Sequence, residues 1–283
     1  MRVGVVTIQK NRAPWIAEWL AFHSVVGFSK FYFYAHNCTD NTAEVLNSIQ
    51  NYYDIKSFSI NADRDQIQLS TYQHAYENFG HECDWLAFID GDEFLFPTQD
   101  ENIASALARF NYEKISALGA YWVCFGSSGH LLEPSGLVTK NYRQRYPLEH
   151  QLHKHIKSIV RGRQNSTVGQ NAHMLNTPYG TFDENLREIT FGLTNYDPTY
   201  KYFRINHYIC QSYEFFKRFK QQSGAADAGK NFIRPDEWWD EMNINSAYDN
   251  SIEPWYEKLD MEVNRIGFGN GVSPGTIKLR TQS

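Results

Sequence analysis

Cysteine is scarce in this chain of 283 residues. Cys38, Cys83, Cys124 and Cys210 are far apart and form no C-x-x-C pair, which argues against a zinc ribbon or a dithiol redox motif. A chain of this length buries a sizeable core without disulfides, so the thiols are expected to be reduced, in a cytoplasmic protein. Long hydrophobic runs are missing too. The apolar run at the N-terminus extends only from Val3 to Ile8, too short for a signal peptide. No stretch approaches the ~20 apolar residues of a transmembrane helix. Membrane contact is therefore expected to be peripheral at most. Charge of one sign does not dominate: 27 Lys and Arg against 32 Asp and Glu leave a net charge of −5. No basic stripe points to nucleic acid, and no polybasic cluster to an anionic membrane. With no internal repeat, low-complexity linker or sharp compositional boundary, a single domain over 1–283 is expected.

Aromatics are abundant, with 18 Tyr, 19 Phe and 7 Trp. Such rings build cores, and their faces also suit sugars and nucleobases. The first half alternates strand and helix signals. Val3–Gln9 is a β-branched run of the kind buried on both faces of a sheet. Pro14 opens a helical pattern of Trp15, Ile16, Trp19, Leu20, His23 and Val26, which Gly27 can end. Strands are expected over 30–34, 55–60 and 84–89, with helices over 42–53 and 66–79. This order implies a mostly parallel sheet with helices on both faces. Ligands of such sheets bind beyond the carboxyl ends of the strands, where Lys10–Arg12, Ala35–Asp40 and Asp90–Glu93 fall. Beyond these, the pattern gives a helix over 102–110, a long strand over 115–125, short strands to about residue 207, and a helix over 212–222 started by a Ser cap. The tail from about Gly224 is rich in Trp and Asn.

The strongest local signal is Phe88-Ile89-Asp90-Gly91-Asp92-Glu93-Phe94. An apolar strand runs into two aspartates at i and i+2, which in extended chain share a side. Paired carboxylate oxygens suit Mg²⁺ or Mn²⁺, and an acidic post-strand turn is the plain alternative. The segment partly matches the Gly-Gly-Asp-Glu-Phe signature of diguanylate cyclases, but Asp90 replaces the first glycine. It also departs from the haloacid-dehalogenase motif, since Phe94 stands where Thr or Val belongs. The acidic spacing of an EF-hand loop is absent.

An ordered series of motifs over roughly residues 3–222 resembles the family-2-like and family-92-like glycosyltransferases. It comprises Lys10-Asn11, Glu18-Trp19, Phe22-His23, Asn37 to Thr42, Gln66 or Gln68 with Tyr72, and Asp84-Trp85 to Phe94. Trp122 to Gly129, Lys157 to Arg161, His173, His207-Tyr208 and Ser212 to Phe216 complete it. The resemblance implies a GT-A fold (Rossmann-like), with residues 1–125 as the nucleotide-sugar-binding half. Residues 126–283 would be a smaller mixed acceptor-side half with a helical C-terminal tail.

The implied activity is inverting, metal-dependent transfer of a hexose from a UDP- or GDP-type donor to a saccharide acceptor, as in polysaccharide biosynthesis. Mn²⁺ or Mg²⁺ would sit on Asp90 and Asp92, completed by His207 or, second, His173. Lys10, Asn11, Asp40, Gln68, Asp90 and Gly91 would line the nucleotide-sugar pocket. Glu149 and Asp183, in polar loops beyond the long strand, are the candidate bases. Glu18 reads as structural. His150, His153 and His155 lack a fourth ligand for zinc. Lys154, Lys157 and Arg161 belong to a solvated face or contact phosphates. Two other readings remain: a phosphate-ester hydrolase with Asp90 as nucleophile, and a non-catalytic carbohydrate-binding module.

Overall fold

The computed structural model describes residues 1–62, 66–221 and 231–269. The first half runs β1 (Val3–Gln9), α1 (Ala13–Val25), β2 (Lys30–His36), α2 (Thr42–Ile49), β3 (Ile55–Ile60), α3 (Ile67–Phe79), β4 (Trp85–Phe88), β5 (Glu93–Pro97), α4 (Ile103–Ala108) and β6 (Ala117–Cys124). The second half adds α5 (Val138–Asn141), β7 (Gln144–Arg145), β8 (Ile156–Arg161), β9 (Thr167–Asn171), β10 (Met174–Asn176), β11 (Thr181–Phe182), β12 (Glu188–Ile189) and β13 (Phe203–His207). It ends with α6 (Tyr213–Phe215), α7 (Glu237–Met242), β14 (Ala247–Tyr248) and α8 (Tyr256–Arg265).

All seven residues of β1 are buried, because the strand is covered on both faces. Alternate side chains go opposite ways. Val3 and Val5 join Leu20, Phe31 and Phe33 in one cluster, whereas Val6 and Ile8 join Tyr32, Tyr34, Ile67 and Tyr72 in another. The first cluster lies under α1 and α2 and the second under α3. Helix α1 is apolar almost all round, as expected of a helix enclosed on all sides; α8 covers its outer side with Leu259 and Val263.

The principal sheet has the order β12-β11-β6-β8-β4-β1-β2-β3. Strands β3, β2, β1 and β4 are parallel. Beyond β4 the sheet is mixed: β8 is antiparallel to both β4 and β6. Strand β13 runs parallel to β6 and antiparallel to β5. This α/β architecture is the expected one, but strands from both sides of residue 125 share the one sheet. The parallel block brings the ends of β1, β2 and β4 to one edge, and β13 ends there as well.

Several elements differ from the sequence reading. Gln66 is not helical but stands before α3 in the left-handed region, with φ 56°. Helix α2 stops at Ile49, short of residue 53. The helix expected over 212–222 does start at its Ser cap, with Ser212 Oγ accepting from Phe215 N at 3.0 Å. It soon widens into a π-helical turn, Phe216–Lys220, closed by Gln221 N donating to Phe216 O at 2.8 Å. Gln222 and Gly224 lie outside the described residues. Among the described residues no helix is long and apolar enough to cross a membrane.

Candidate functional site

A cavity of about 570 Å³ opens at the carboxyl edge of the parallel strands. Strand β1 delivers Gln9 to Arg12, β2 His36, β4 the Asp90-Gly91-Asp92 turn, α3 Gln68, β8 Lys157, and β13 His207. The turn is fixed through its backbone. Trp19 Nε1 donates to the carbonyls of Asp90 at 3.3 Å and Glu93 at 3.0 Å. Arg12 donates to the Gly91 carbonyl at 3.0 Å, and Asp90 N donates to Glu93 Oε2 at 2.9 Å. A Cβ on Gly91 would lie 2.5 Å from Gln9 Cδ, so the Gln9 side chain would have to shift to admit one.

The two aspartates are held differently. Asp90 Oδ1 accepts from Gln68 Nε2 at 2.6 Å and Tyr72 OH at 3.3 Å, and Oδ2 accepts from Lys157 Nζ at 2.7 Å. Burial opposes the Asp90 charge, but Lys157 outweighs it and keeps the carboxyl below the ordinary carboxylate range. Asp92 Oδ2 accepts from Lys220 Nζ at 2.5 Å and faces His207 Nε2 at 3.7 Å. Here too burial is outweighed, by Lys220, His207 and Arg12, and Asp92 stays well below its usual value. Glu93 is the reverse case. It is fully buried, burial pushes it well above the carboxylate range, and Lys157 at 3.8 Å offsets only part of that.

Cations dominate the wall. Lys10, Arg12, Lys157, Arg218, Lys220 and Arg234 line the cavity, while Asp90 and Asp92 are its carboxylates among the described residues. The Arg12 guanidinium lies between Trp15 and Phe215, 4.7 and 4.9 Å from the ring centres. Trp122, Phe215, Phe219 and Trp238 supply apolar faces. The sequence reading passed over Arg12 as a ligand-site residue and did not single out Lys220. It also put Lys157 on a solvated face or a phosphate, whereas the side chain is 2 % exposed and paired with Asp90. A lone lysine in the buried run Ile-Lys-Ser-Ile-Val was the available signal.

The structure gathers Lys10, Asn11, Gln68, Asp90, Gly91, Asp92, His173 and His207 around this cavity. Asp40 is not among its lining residues. Its Oδ2 accepts from Ala13 N at 3.1 Å and its Oδ1 from Thr42 N and Oγ1 at 3.1 and 2.6 Å, so it ties the starts of α1 and α2 together. Asn11 Oδ1 accepts from Thr39 N at 2.7 Å and joins the same loops.

The two carboxylates expected to serve as base lie elsewhere. Asp183 is wholly buried, with Oδ1 accepting from Asn185 N and Arg187 N and Oδ2 from Arg187 Nε at 2.6 Å; it shapes the turn between β11 and β12. Glu149 is exposed in the loop before β8. Neither lines the cavity. Glu18 is structural, accepting from Val138 N and Thr139 N at 2.7 and 2.9 Å at the start of α5. His153 is also structural: Nε2 accepts from Cys124 N at 3.0 Å and Nδ1 lies 3.2 Å from the Leu148 carbonyl. His155 instead stacks on Trp122.

The donor set offered to a divalent cation is Asp92 with His207, flanked by Asp90. No group of three such side chains already stands at metal-binding spacing among the described residues. The chemistry nonetheless fits: both aspartates are held ionised, and burial keeps His207 neutral, below the usual imidazole range. His207 Nδ1 is buried without a hydrogen-bond partner. Hard oxygens with one imidazole suit Mn²⁺ or Mg²⁺. His173 is neutral as well. Burial, Lys157 and His155 push it down to about 3, and its Nδ1 is 3.0 Å from the Ile156 carbonyl.

Known proteins give this arrangement a family. A glycosyltransferase family 92 protein of Oryza sativa subsp. japonica is 27 % identical over 282 residues, covering 90 % of this chain and 44 % of that protein. One from Arabidopsis thaliana is 29 % identical over 174 residues, covering 56 % of this chain and 28 % of its own. The chain thus spans less than half the length of either relative. Among solved structures, S. aureus TarS with UDP-GlcNAc aligns over 93 % of this chain and 66 % of its own, at 14 % identity and TM-score 0.45. Glucosyl-3-phosphoglycerate synthase from Mycobacterium tuberculosis, with Mn²⁺ and UDP, aligns over 43 % and 44 % at 13 % identity and TM-score 0.30. The sequence model of glycosyltransferase family 92 matches residues 3–243, and the chain belongs to that family.

Proposed function

We propose that this chain transfers a hexose from a UDP- or GDP-type nucleotide sugar to a saccharide acceptor, with inversion at the transferred carbon and with a divalent cation on Asp92 and His207. The observation that carries the reading is the cavity itself. Six cationic side chains surround two ionised aspartates at the carboxyl edge of a parallel sheet, a field matched to a diphosphate. Membership of family 92 supports it.

The leaving group gains negative charge as the glycosidic bond breaks, while the sugar carbon becomes oxocarbenium-like. Fixed cations aimed at that charge stabilise the transition state more than the ground state. Lys157 and Arg12 are such cations, held by Asp90 and by the Gly91 carbonyl. Bound at Asp92 and His207, Mn²⁺ or Mg²⁺ supplies Lewis-acid neutralisation of the diphosphate. The faces of Trp122 and Trp238 offer stacking surfaces for sugar or base. The acceptor hydroxyl attacks the face opposite the diphosphate, which inverts the carbon. The hydrolase alternative is disfavoured, because both Asp90 oxygens are engaged by Gln68, Tyr72 and Lys157.

The test is nucleotide release from a panel of nucleotide sugars, with Mn²⁺ and with EDTA, for wild type and Asp92→Ala. Cation-dependent release of UDP or GDP from one donor, lost in the variant, is the expected result. No release and no binding of any donor, together with hydrolysis of a simple phosphate ester, would sink the reading.

A further inference from the structure

A single carboxylate oxygen is contested. Asp92 Oδ2 lies 2.5 Å from Lys220 Nζ and 3.7 Å from His207 Nε2, so the ammonium holds the oxygen that a cation shared by Asp92 and His207 would need. Both side chains are enclosed, Lys220 16 % and Asp92 11 % exposed. The site's other lysine is different in kind. Lys157 is carried in the middle of β8, is 2 % exposed and is shared between Asp90 and Glu93. Among the described residues Lys220 pairs with the carboxylate of Asp92, and it ends a π-helical turn, a rare geometry frequent at functional sites. Its flexible four-carbon stem lets the ammonium move without moving the turn. A divalent cation on Asp92 would repel an ammonium this close, and a diphosphate in the same cavity would attract it.

We infer that Lys220 is the resident counter-ion of Asp92, displaced by the divalent cation and received by the donor's diphosphate. The inference rests on the proposed role of Asp92 as a cation ligand. It makes cation and nucleotide cooperative: each binds weakly alone, because the cation must first break the Lys220–Asp92 pair and the nucleotide lacks a released lysine.

The experiment is a titration of Mn²⁺, read from the paramagnetic resonance signal of the free ion, with and without UDP or GDP. Wild type, Lys220→Gln, Asp92→Asn and Lys217→Gln are compared, with thermal melting to verify folding. Without nucleotide, Lys220→Gln should bind Mn²⁺ about tenfold more tightly than wild type, the order expected when an enclosed ion pair no longer has to be broken. The gain in Mn²⁺ affinity on adding nucleotide should shrink in the same variant. Lys217→Gln, which removes a lysine paired with Asp236, should match wild type. Binding by Lys220→Gln no tighter than wild type, while Asp92→Asn abolishes it, would overturn this inference and leave the cation site standing. No Mn²⁺ binding by folded wild type, even with nucleotide, would overturn both.

Discussion

Lys157 and Asp90 form an ion pair, 2.7 Å from Nζ to Oδ2, in which the lysine is 2 % and the aspartate 32 % exposed. The pair couples the fold to the site: β8 contributes the ammonium, and the end of β4 contributes the carboxylate. Burial opposes the lysine charge, but Asp90 and Glu93 more than offset it and raise its pKa. Lys157→Met removes the cation and leaves Asp90 facing Gln68 and Tyr72 alone. A loss of roughly 3 kcal/mol in urea unfolding is expected, at the low end for a broken buried pair because the cavity admits water to Asp90. Nucleotide release should fall with it. Unchanged stability would mean that the pair is not formed in solution.

Asp92 lines the cavity, and among the described residues its side chain pairs with Lys220 rather than with backbone, so its loss should be felt in chemistry rather than folding. Asp92→Asn is expected to slow nucleotide release by about 10²–10³-fold, the cost of removing one charge-stabilising group. The melting temperature should stay within a few degrees of wild type. A variant that loses activity only because it unfolds would contradict this separation.

Arg12 is selected for shape as well as charge. A planar guanidinium can lie between Trp15 and Phe215 while donating to the Gly91 carbonyl; a lysine ammonium cannot do both. Arg12→Lys should therefore raise the donor KM about tenfold, in line with one stacked and hydrogen-bonded contact. Equal KM values in the two proteins would remove Arg12 from the donor site.

Glu18 sets a pH dependence of stability. Burial raises its carboxyl to about 7, against the hydrogen bonds from Thr139 and Val138 that lower it. An acid whose folded pKa exceeds its unfolded value binds more protons folded than unfolded. Its contribution is thus complete below pH about 4.5 and is lost as pH rises towards 7. Wild type should lose about 3 kcal/mol of stability across that window, at 1.36 kcal/mol per pKa unit. Glu18→Gln should lose less, as read from urea midpoints at pH 5 and pH 7.5. Parallel pH profiles would show that Glu18 is ionised throughout.

The alternating strands and helices of residues 3–89 were legible in the sequence. Local pattern alone dictates that Val3–Gln9 is buried on both faces and that an Asp-Gly-Asp turn follows an apolar strand. The order of motifs gave the family, because each motif is local. The helix at Ser212 was legible at its cap, where the hydroxyl acts within one turn. Its π-helical continuation was not, since nothing in Phe-Lys-Arg-Phe-Lys distinguishes a turn of five residues from one of four. The roles of long-range partners were also hidden. Asp40, expected at the nucleotide pocket, ties the starts of α1 and α2 together, and Asp183, expected as a base, holds a turn.

By itself the sequence determined the parallel α/β core and the acidic turn at Asp90 to Asp92, and only the structure set β1 beside β4. Only the tertiary structure decided which charges meet there. Lys157 is 67 residues from Asp90, and Lys220 is 128 from Asp92. Pairing over such separations depends on which strands lie side by side and which face the chain returns to. Periodicity reports burial and local geometry, whereas a charge reports its partner only once the sheet has closed around both.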